Sequence, residues 1–175
     1  MRGYFAVGAE GISKGMNLGN LVRTSHAFGA SFFFTIGAAV SYADVKASDT
    51  SHADLHMPFY SHNSLADFAL PKDCALVGVE LLDDAVDLPS FRHPLRAAYV
   101  LGPEKGSLSP ELVRRCDHIV KIPTKFCVNV GVAGALVIYD RMICLGDHAE
   151  RPVCHMSRKV RGRGKASQGR MLGSL

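Results

Sequence analysis

Short apolar, β-forming runs recur along this chain with helix-forming segments between them. That alternation confines it to an α/β fold with a mainly parallel sheet flanked by helices. The runs are Tyr4–Val7, Ser31–Ile36, Cys74–Leu81, Leu95–Leu101 and His118–Ile122. Asn17–Phe28 fits a helix, with Leu21, Val22 and Phe28 marking an apolar stripe and Gly29 ending it. Ser109-Pro110-Glu111 opens another helix: a capping serine, a proline at the first helical position, and an acid near the positive dipole end. Asn129–Ile143 contains Val130, Val132, Val137 and Ile138, which suit a strand, but its length suits a helix, and helix is the reading taken. Gly8–Gly15 reads as a flexible loop and Ser41–His62 as an ordered loop or lid. Ser64–Asp67 reads as the capping-box-like start of a short helix ending near Pro71. An acidic loop with Asp83, Asp84 and Asp87 separates two of the strands.

A chain of 175 residues can bury one proper core. Residues 1–150 are expected to form that domain, with 151–175 a basic, flexible tail. The longest apolar stretch, around Ala30–Val40, is broken by Gly37 and is too short to cross a bilayer. The first residues lack the basic, apolar, small-residue order of a signal peptide, so cytoplasmic residence is expected. Five cysteines (Cys74, Cys116, Cys127, Cys144, Cys154) are an odd number without regular spacing, which argues against a disulfide framework. Cys144, His148, Cys154 and His155 are dense but show no paired metal-ligand spacing, and no metal site is assigned to them.

Charge is uneven. Residues 151–175 carry seven Lys or Arg and no acid, so the preceding 150 residues carry −3 against a whole-chain +4. Such a tail suits an electrostatic footprint on RNA, and it equally suits a solvated terminus that binds nothing.

Three separated segments place polar groups beside glycines and small residues. In the first, Asn17-Leu18-Gly19-Asn20-Leu21-Val22-Arg23-Thr24 precedes Phe28-Gly29. At about 100° per residue Arg23 lies roughly 200° from Leu21, away from the face that Leu21 helps bury. A guanidinium there can grip a phosphate with its planar fork of donors, or can simply be solvated. In the second, Leu101-Gly102-Pro103-Glu104-Lys105-Gly106-Ser107-Leu108-Ser109, a strand runs into a turn and sets Glu104 just beyond the strand's carboxyl end. That is where open α/β sheets bind ligands. In the third, Ile122-Pro123-Thr124 leads to Cys127-Val128-Asn129 and the small residues Gly131, Ala133, Gly134 and Ala135. These let other backbones approach closely, and Asn129 can cap the helix that follows.

Together the three segments resemble the motifs of the SPOUT-type RNA 2′-O-ribose methyltransferases, in the SpoU or TrmH branch. Asn17, Arg23, Phe28 and Gly29 match the first motif. The second is similar to Gly-Pro-Glu-x-x-Gly-Leu-Ser, with Ser107 inserted before Leu108. The third is similar to an Ile-Pro segment leading into Ser-Leu-Asn, with Cys127 where a hydroxyl residue is usual. A thiol is a poor hydrogen-bond donor, so any hydroxyl contribution is lost there.

The resemblance implies a C-terminal trefoil knot and an S-adenosyl-L-methionine site on the backbone around Val79, Glu80, Gly102, Ile122, Cys127 and Val128. It implies a homodimer in which Arg23 of one subunit faces the cofactor of the other. The implied catalytic set is Arg23, Asn17, Glu104 and Asn129. Arg23 would hold a phosphate and stabilise alkoxide character, Asn17 and Asn129 would orient it, and Glu104 would shape the loop. RNA is the implied partner, tRNA favoured over rRNA, and no membrane is involved. The alternatives are an rRNA 2′-O-methyltransferase and a catalytically silent RNA-binding or ribosome-assembly protein of the same fold. No Gly-x-Gly-x-x-Gly, Walker or Gly-x-Ser-x-Gly motif supports a dinucleotide, P-loop or hydrolase site.

Overall fold

Among the described residues, seven parallel strands form one sheet. The computed structural model describes residues 3–40, 43, 56–146 and 148. In chain order the elements are β1 (Tyr4–Glu10), α1 (Gly15–Ala27), β2 (Phe32–Ile36), β3 (Phe59–His62), β4 (Ala75–Val79) and β5 (Val86–Asp87). They continue with β6 (Arg96–Leu101), α2 (Pro110–Arg115), β7 (His118–Lys121) and α3 (Val130–Leu145). The sheet order is β3-β2-β1-β6-β4-β7-β5, and each neighbouring pair runs parallel. Every strand therefore ends on the same edge, which brings Val79, Leu101 and Lys121 together.

Side chains alternate across the sheet and build a core on each face. Phe5, Val7 and Ala9 of β1 and Tyr99 of β6 pack with Leu18, Leu21 and Val22 of α1 and Val137 and Ile138 of α3. On the other face Ala6, Phe34, Leu76, Ala98 and Val100 meet Leu108, Leu112 and Phe68. Leu21 is fully buried, which contributes about 1.5–3 kcal/mol. Its neighbour across the helix pair is Gly134, where an added Cβ would come within 2.2 Å of Leu21 Cδ1. The bare glycine is what lets α1 and α3 cross this closely, and their N-terminal ends are brought to the strand-end edge together.

Several local expectations are revised. Gly8–Glu10 is not a loop but the end of β1, because it is paired on both sides: Gly8 lies opposite Phe34 of β2 and Val100 of β6. α1 starts at Gly15, two residues before Asn17. Part of the stretch read as a lid is β3, whose Phe59–His62 pairs with Phe33–Ile36; most of the remainder lies outside the described residues. After Ser64 there is only a 3-10 turn, Leu65–Asp67, with the Ser64 hydroxyl donating to Asp67 Oδ2 at 2.9 Å. The acidic loop contains the two-residue β5. The basic tail, with Cys154 and His155, lies outside the described residues. Among those described, no helix is long and apolar enough to cross a membrane.

Candidate functional site

A cavity of about 370 Å³ opens at the carboxyl ends of β4, β6 and β7. One wall is apolar, made by Val79, Leu81, Leu101, Ile122, Val130 and Ala133; the other is polar, made by Lys14, Asn17, Glu104 and Asn129. All six residues expected to touch a cofactor line it: Val79, Glu80, Gly102, Ile122, Cys127 and Val128. Of the expected catalytic set, Asn17, Glu104 and Asn129 line it as well. Arg23 does not. It is exposed on α1, six residues past Asn17, which is about 9 Å along the axis and about 120° around it.

A continuous hydrogen-bonded relay joins the three motifs. Asn129 caps α3, its Oδ1 accepting from Gly131 N at 2.9 Å. Its Nδ2 donates to Asn17 Oδ1 at 3.1 Å, and Asn17 Nδ2 donates to Glu104 Oε1 at 3.0 Å. The cap fixes which end of Asn129 is the acceptor, and that choice sets the orientation of Asn17 in turn. Glu104 also accepts from Ser13 N (3.2 Å), the Ser13 hydroxyl (3.1 Å) and Lys14 N (3.0 Å).

α1 has no side-chain N-cap of its own, because its capping position is Lys14. The Glu104 carboxylate, distant in sequence, takes up N–H groups at that helix start and meets the positive end of its dipole. Burial pushes the Glu104 carboxyl upward, but the hydrogen bonds from Asn17, the backbone and Ser13 outweigh it and hold the pKa at about 2. So acidic a carboxylate is a poor proton acceptor near neutral pH and a good structural anion.

Two further acids hold the turn after β6, and sequence reasoning missed their role. Glu80 Oε2 accepts from Leu108 N at 2.8 Å, and its Oε1 accepts from Leu81 N. Glu10 accepts from Ser109 N at 2.7 Å and from the Ser109 hydroxyl at 2.6 Å. The extra residue, Ser107, is absorbed next to Gly106, whose φ of +113° suits only glycine. Beyond it, Leu108 and Ser109 are pinned. The available signal was the strand-end placement of both acids, opposite a helix opening rich in unpaired N–H groups.

The cavity fits a nucleoside-like cofactor in size and chemistry, since 300–1,000 Å³ with an apolar wall and a few convergent polar groups is usual for small-molecule sites. Gly102 lets the turn after β6 fold back closely: a Cβ there would meet Leu108 N at 3.2 Å. Cys127 is exposed at the rim, beside Phe126, which is 76% exposed.

Residues 4–139 match the model of the SpoU rRNA methylase family. Among curated proteins, the mouse (Mus musculus) tRNA (guanosine(18)-2′-O)-methyltransferase TARBP1 is 29% identical over 138 residues. That match takes in 74% of this chain and 9% of the relative, so the chain spans under a tenth of the curated protein it resembles. Among solved structures, the AdoMet-bound rRNA methyltransferase from Sinorhizobium meliloti superposes with a TM-score of 0.74 at 20% identity, over 83% of this chain and 58% of that one. A structure described as giving insight into 2-OH methylation of C/U34 on tRNA superposes at 0.69 with 22% identity, over 82% of this chain and 91% of that one.

Proposed function

The chain belongs to the SpoU rRNA methylase family, and from that premise we propose that it transfers a methyl group from S-adenosyl-L-methionine to a ribose 2′-hydroxyl of RNA, most favourably of tRNA. The observation that carries this reading is the Asn129–Asn17–Glu104 relay on the polar wall of a cavity at the strand ends. The tRNA preference draws on two of the relatives, of which the C/U34 enzyme is nearly matched in length.

When bound, the cofactor would donate the electrophilic methyl carbon of its sulfonium to a ribose 2′-oxygen, with S-adenosylhomocysteine as the leaving product and the hydroxyl proton going to water. In our reading Val79, Gly102, Ile122 and Val128 seat it against the apolar wall. Asn17 and Asn129 are positioning residues that hold the polar wall rigid. Glu104 fixes the Ser13–Asn17 segment rather than taking a proton. Much of the rate then comes from alignment. Lys14 lines the cavity, and the exposed Lys105 and Lys125 flank it, a cationic rim suited to phosphates.

We also propose that the working unit is a homodimer. Arg23 does not line its own subunit's cavity, which supports the reading that it serves the cavity of a partner. α3 carries exposed Val132, Leu136, Tyr139 and Ile143 at spacings of four, three and four, an apolar seam of the kind that packs against a second copy. Each Arg23 would then hold the phosphate beside the reacting ribose and stabilise charge on the 2′-oxygen. The C-terminal knot belongs to the same reading. β7 inserts between β4 and β5, and Lys121 reaches back to the carbonyls of Leu82 and Asp83. The four described cysteines are unpaired, as suits a reducing, cytoplasmic compartment.

The deciding experiment incubates the protein with labelled S-adenosyl-L-methionine and bulk tRNA or rRNA, then identifies the nucleoside by mass spectrometry. A 2′-O-methylnucleoside from tRNA is expected; a methylated base, or label in rRNA alone, would replace the reading. Arg23→Ala should bind cofactor normally and lose about 10²–10³-fold in turnover. Undiminished turnover would remove Arg23 from the mechanism.

A further inference from the structure

At the end of α3 farthest from the cavity, three side chains that the methyl-transfer reading does not use converge on one point. His93 Nε2 lies 2.9 Å from Asp140 Oδ2, and Cys144 Sγ lies 3.8 Å from the same oxygen. All three donor atoms fall within 4.8 Å of one another. A tetrahedral zinc-type ion, with bonds of about 2.0–2.2 Å to nitrogen and oxygen and about 2.3 Å to sulfur, sets its ligands about 3.3–3.6 Å apart. The observed separations bracket that value, so a few tenths of an ångström of side-chain adjustment makes a three-ligand set.

We propose that His93, Asp140 and Cys144 bind a divalent cation of the zinc type, which clamps the last turns of α3 to the segment leading into β6. The donor set is imidazole, carboxylate and thiolate, which suits zinc or cobalt and not a hard, all-oxygen ion such as magnesium. The surroundings have the outer layer such sites use to orient an imidazole. His93 Nδ1 lies 2.6 Å from the Tyr99 hydroxyl, and Arg141 Nη1 donates to that hydroxyl at 3.1 Å. With the ion on Nε2, the ring keeps its one hydrogen on Nδ1 and donates it to Tyr99.

The charges also balance: one carboxylate and one thiolate neutralise the dication beside the Arg141 guanidinium. His93 is buried, Asp140 is partly buried and Cys144 is exposed, so the ion has a solvent path, and its fourth position faces water. Binding releases the Cys144 thiol proton, so affinity falls as pH is lowered. Cys144 was conspicuous in the sequence beside His148, Cys154 and His155, yet its described partners are His93, 51 residues earlier in the chain, and Asp140, one helical turn back.

The test titrates Co²⁺ into metal-free, tag-free, full-length protein and reads the optical spectrum. One equivalent is expected, with a thiolate-to-cobalt charge-transfer band in the near ultraviolet and visible bands of tetrahedral strength. Cys144→Ser, at an exposed position that should not disturb folding, removes the charge-transfer band. Asp140→Asn weakens binding about tenfold or more. The double variant C154S/H155Q keeps both the band and the affinity. Zn²⁺ competes the cobalt away and raises the unfolding midpoint of the wild type but not of Cys144→Ser. No band in the wild type, a band that survives Cys144→Ser, or one lost with Cys154 and His155 would each overturn the proposal.

Discussion

The two ends of α3 each carry a polar network, and they are built to opposite specifications. At the start, exposed Asn129 and partly buried Asn17 and Glu104 hold one another in a line and present that line to a cavity. Toward the far end, Arg141 is 1% exposed and spends its guanidinium on backbone. It donates to Pro94 O (2.5 Å), Leu95 O (2.8 Å) and Tyr4 O (3.4 Å) as well as to Tyr99. Those carbonyls sit where β1 and β6 begin, and Leu95 O also accepts from Tyr4 N at 3.2 Å, so Arg141 ties the two strand starts together at the sheet's other edge. The open network can exchange partners with a ligand, whereas the Arg141 contacts themselves hold the fold. The helix between them couples the edge that binds to the edge that braces.

The comparison breaks most readily at the bracing end. Arg141→Met keeps the packing volume but removes the donor to the partly buried Pro94 and Tyr4 carbonyls and to the buried Tyr99 hydroxyl, and one of the two donors to Leu95 O. Since each orphaned group costs about 1–3 kcal/mol, a loss of about 3 kcal/mol or more is expected in urea unfolding, with cofactor affinity of the folded protein little changed. A change under 0.5 kcal/mol (about the size of an ordinary surface substitution) would show that the network braces nothing.

Gly134→Val acts between the two ends. Its added methyls press on buried Leu21, so overpacking should cost about 1–3 kcal/mol. Because α1 must shift, Asn17 should also separate from Asn129 and cofactor binding should weaken. Wild-type affinity in this variant would uncouple helix packing from the relay.

Glu104→Gln is the smaller change at the open end. It keeps size but turns an amide NH₂ toward groups that already donate, and about 1–2 kcal/mol should go with the charge-assisted bonds. Its pH dependence has a definite sign. The folded-state pKa, about 2, lies below the ordinary 4.5. The unfolded chain therefore binds the proton more readily, and the contribution is complete above pH 4.5 and lost as pH falls through about 2. The stability gap between wild type and Glu104→Gln should narrow across that window in acid-unfolding curves. A gap independent of pH would mean that the Glu104 charge does no stabilising.

Legibility in the sequence also divides between the ends. The residues of the open end were readable because each motif is local: a strand end, a turn and a helix start carry their polar group within a few residues. Gly102 and Asn129 could be placed that way without knowing their distant partners. What each group bonds to could not be read, since Glu104 caps a helix start far upstream, and Glu10 and Glu80 anchor a turn that is remote in sequence. The bracing end left almost no trace. Nothing local singles out Arg141, which follows Asp140 in an apolar helix, and only the folded chain brings it to Pro94 and Tyr4. β3 was hidden for a related reason: Phe59–His62 has little alternation of its own and is a strand because β2 offers it an edge. The end of β1 was misread because its glycine looked like a turn, whereas pairing on both sides overrides that local preference.

Whether the cavity at the ends of β4, β6 and β7 holds the methyl donor is decided by calorimetric titration with S-adenosyl-L-methionine. One molecule should bind per wild-type chain, and a folded Gly102→Val should bind at least tenfold more weakly, because its side chain presses on Leu108 N and Glu80 and displaces the turn that lines the cavity. No binding to the wild type would contradict the methyl-donor reading and leave a catalytically silent RNA-binding protein of the same fold.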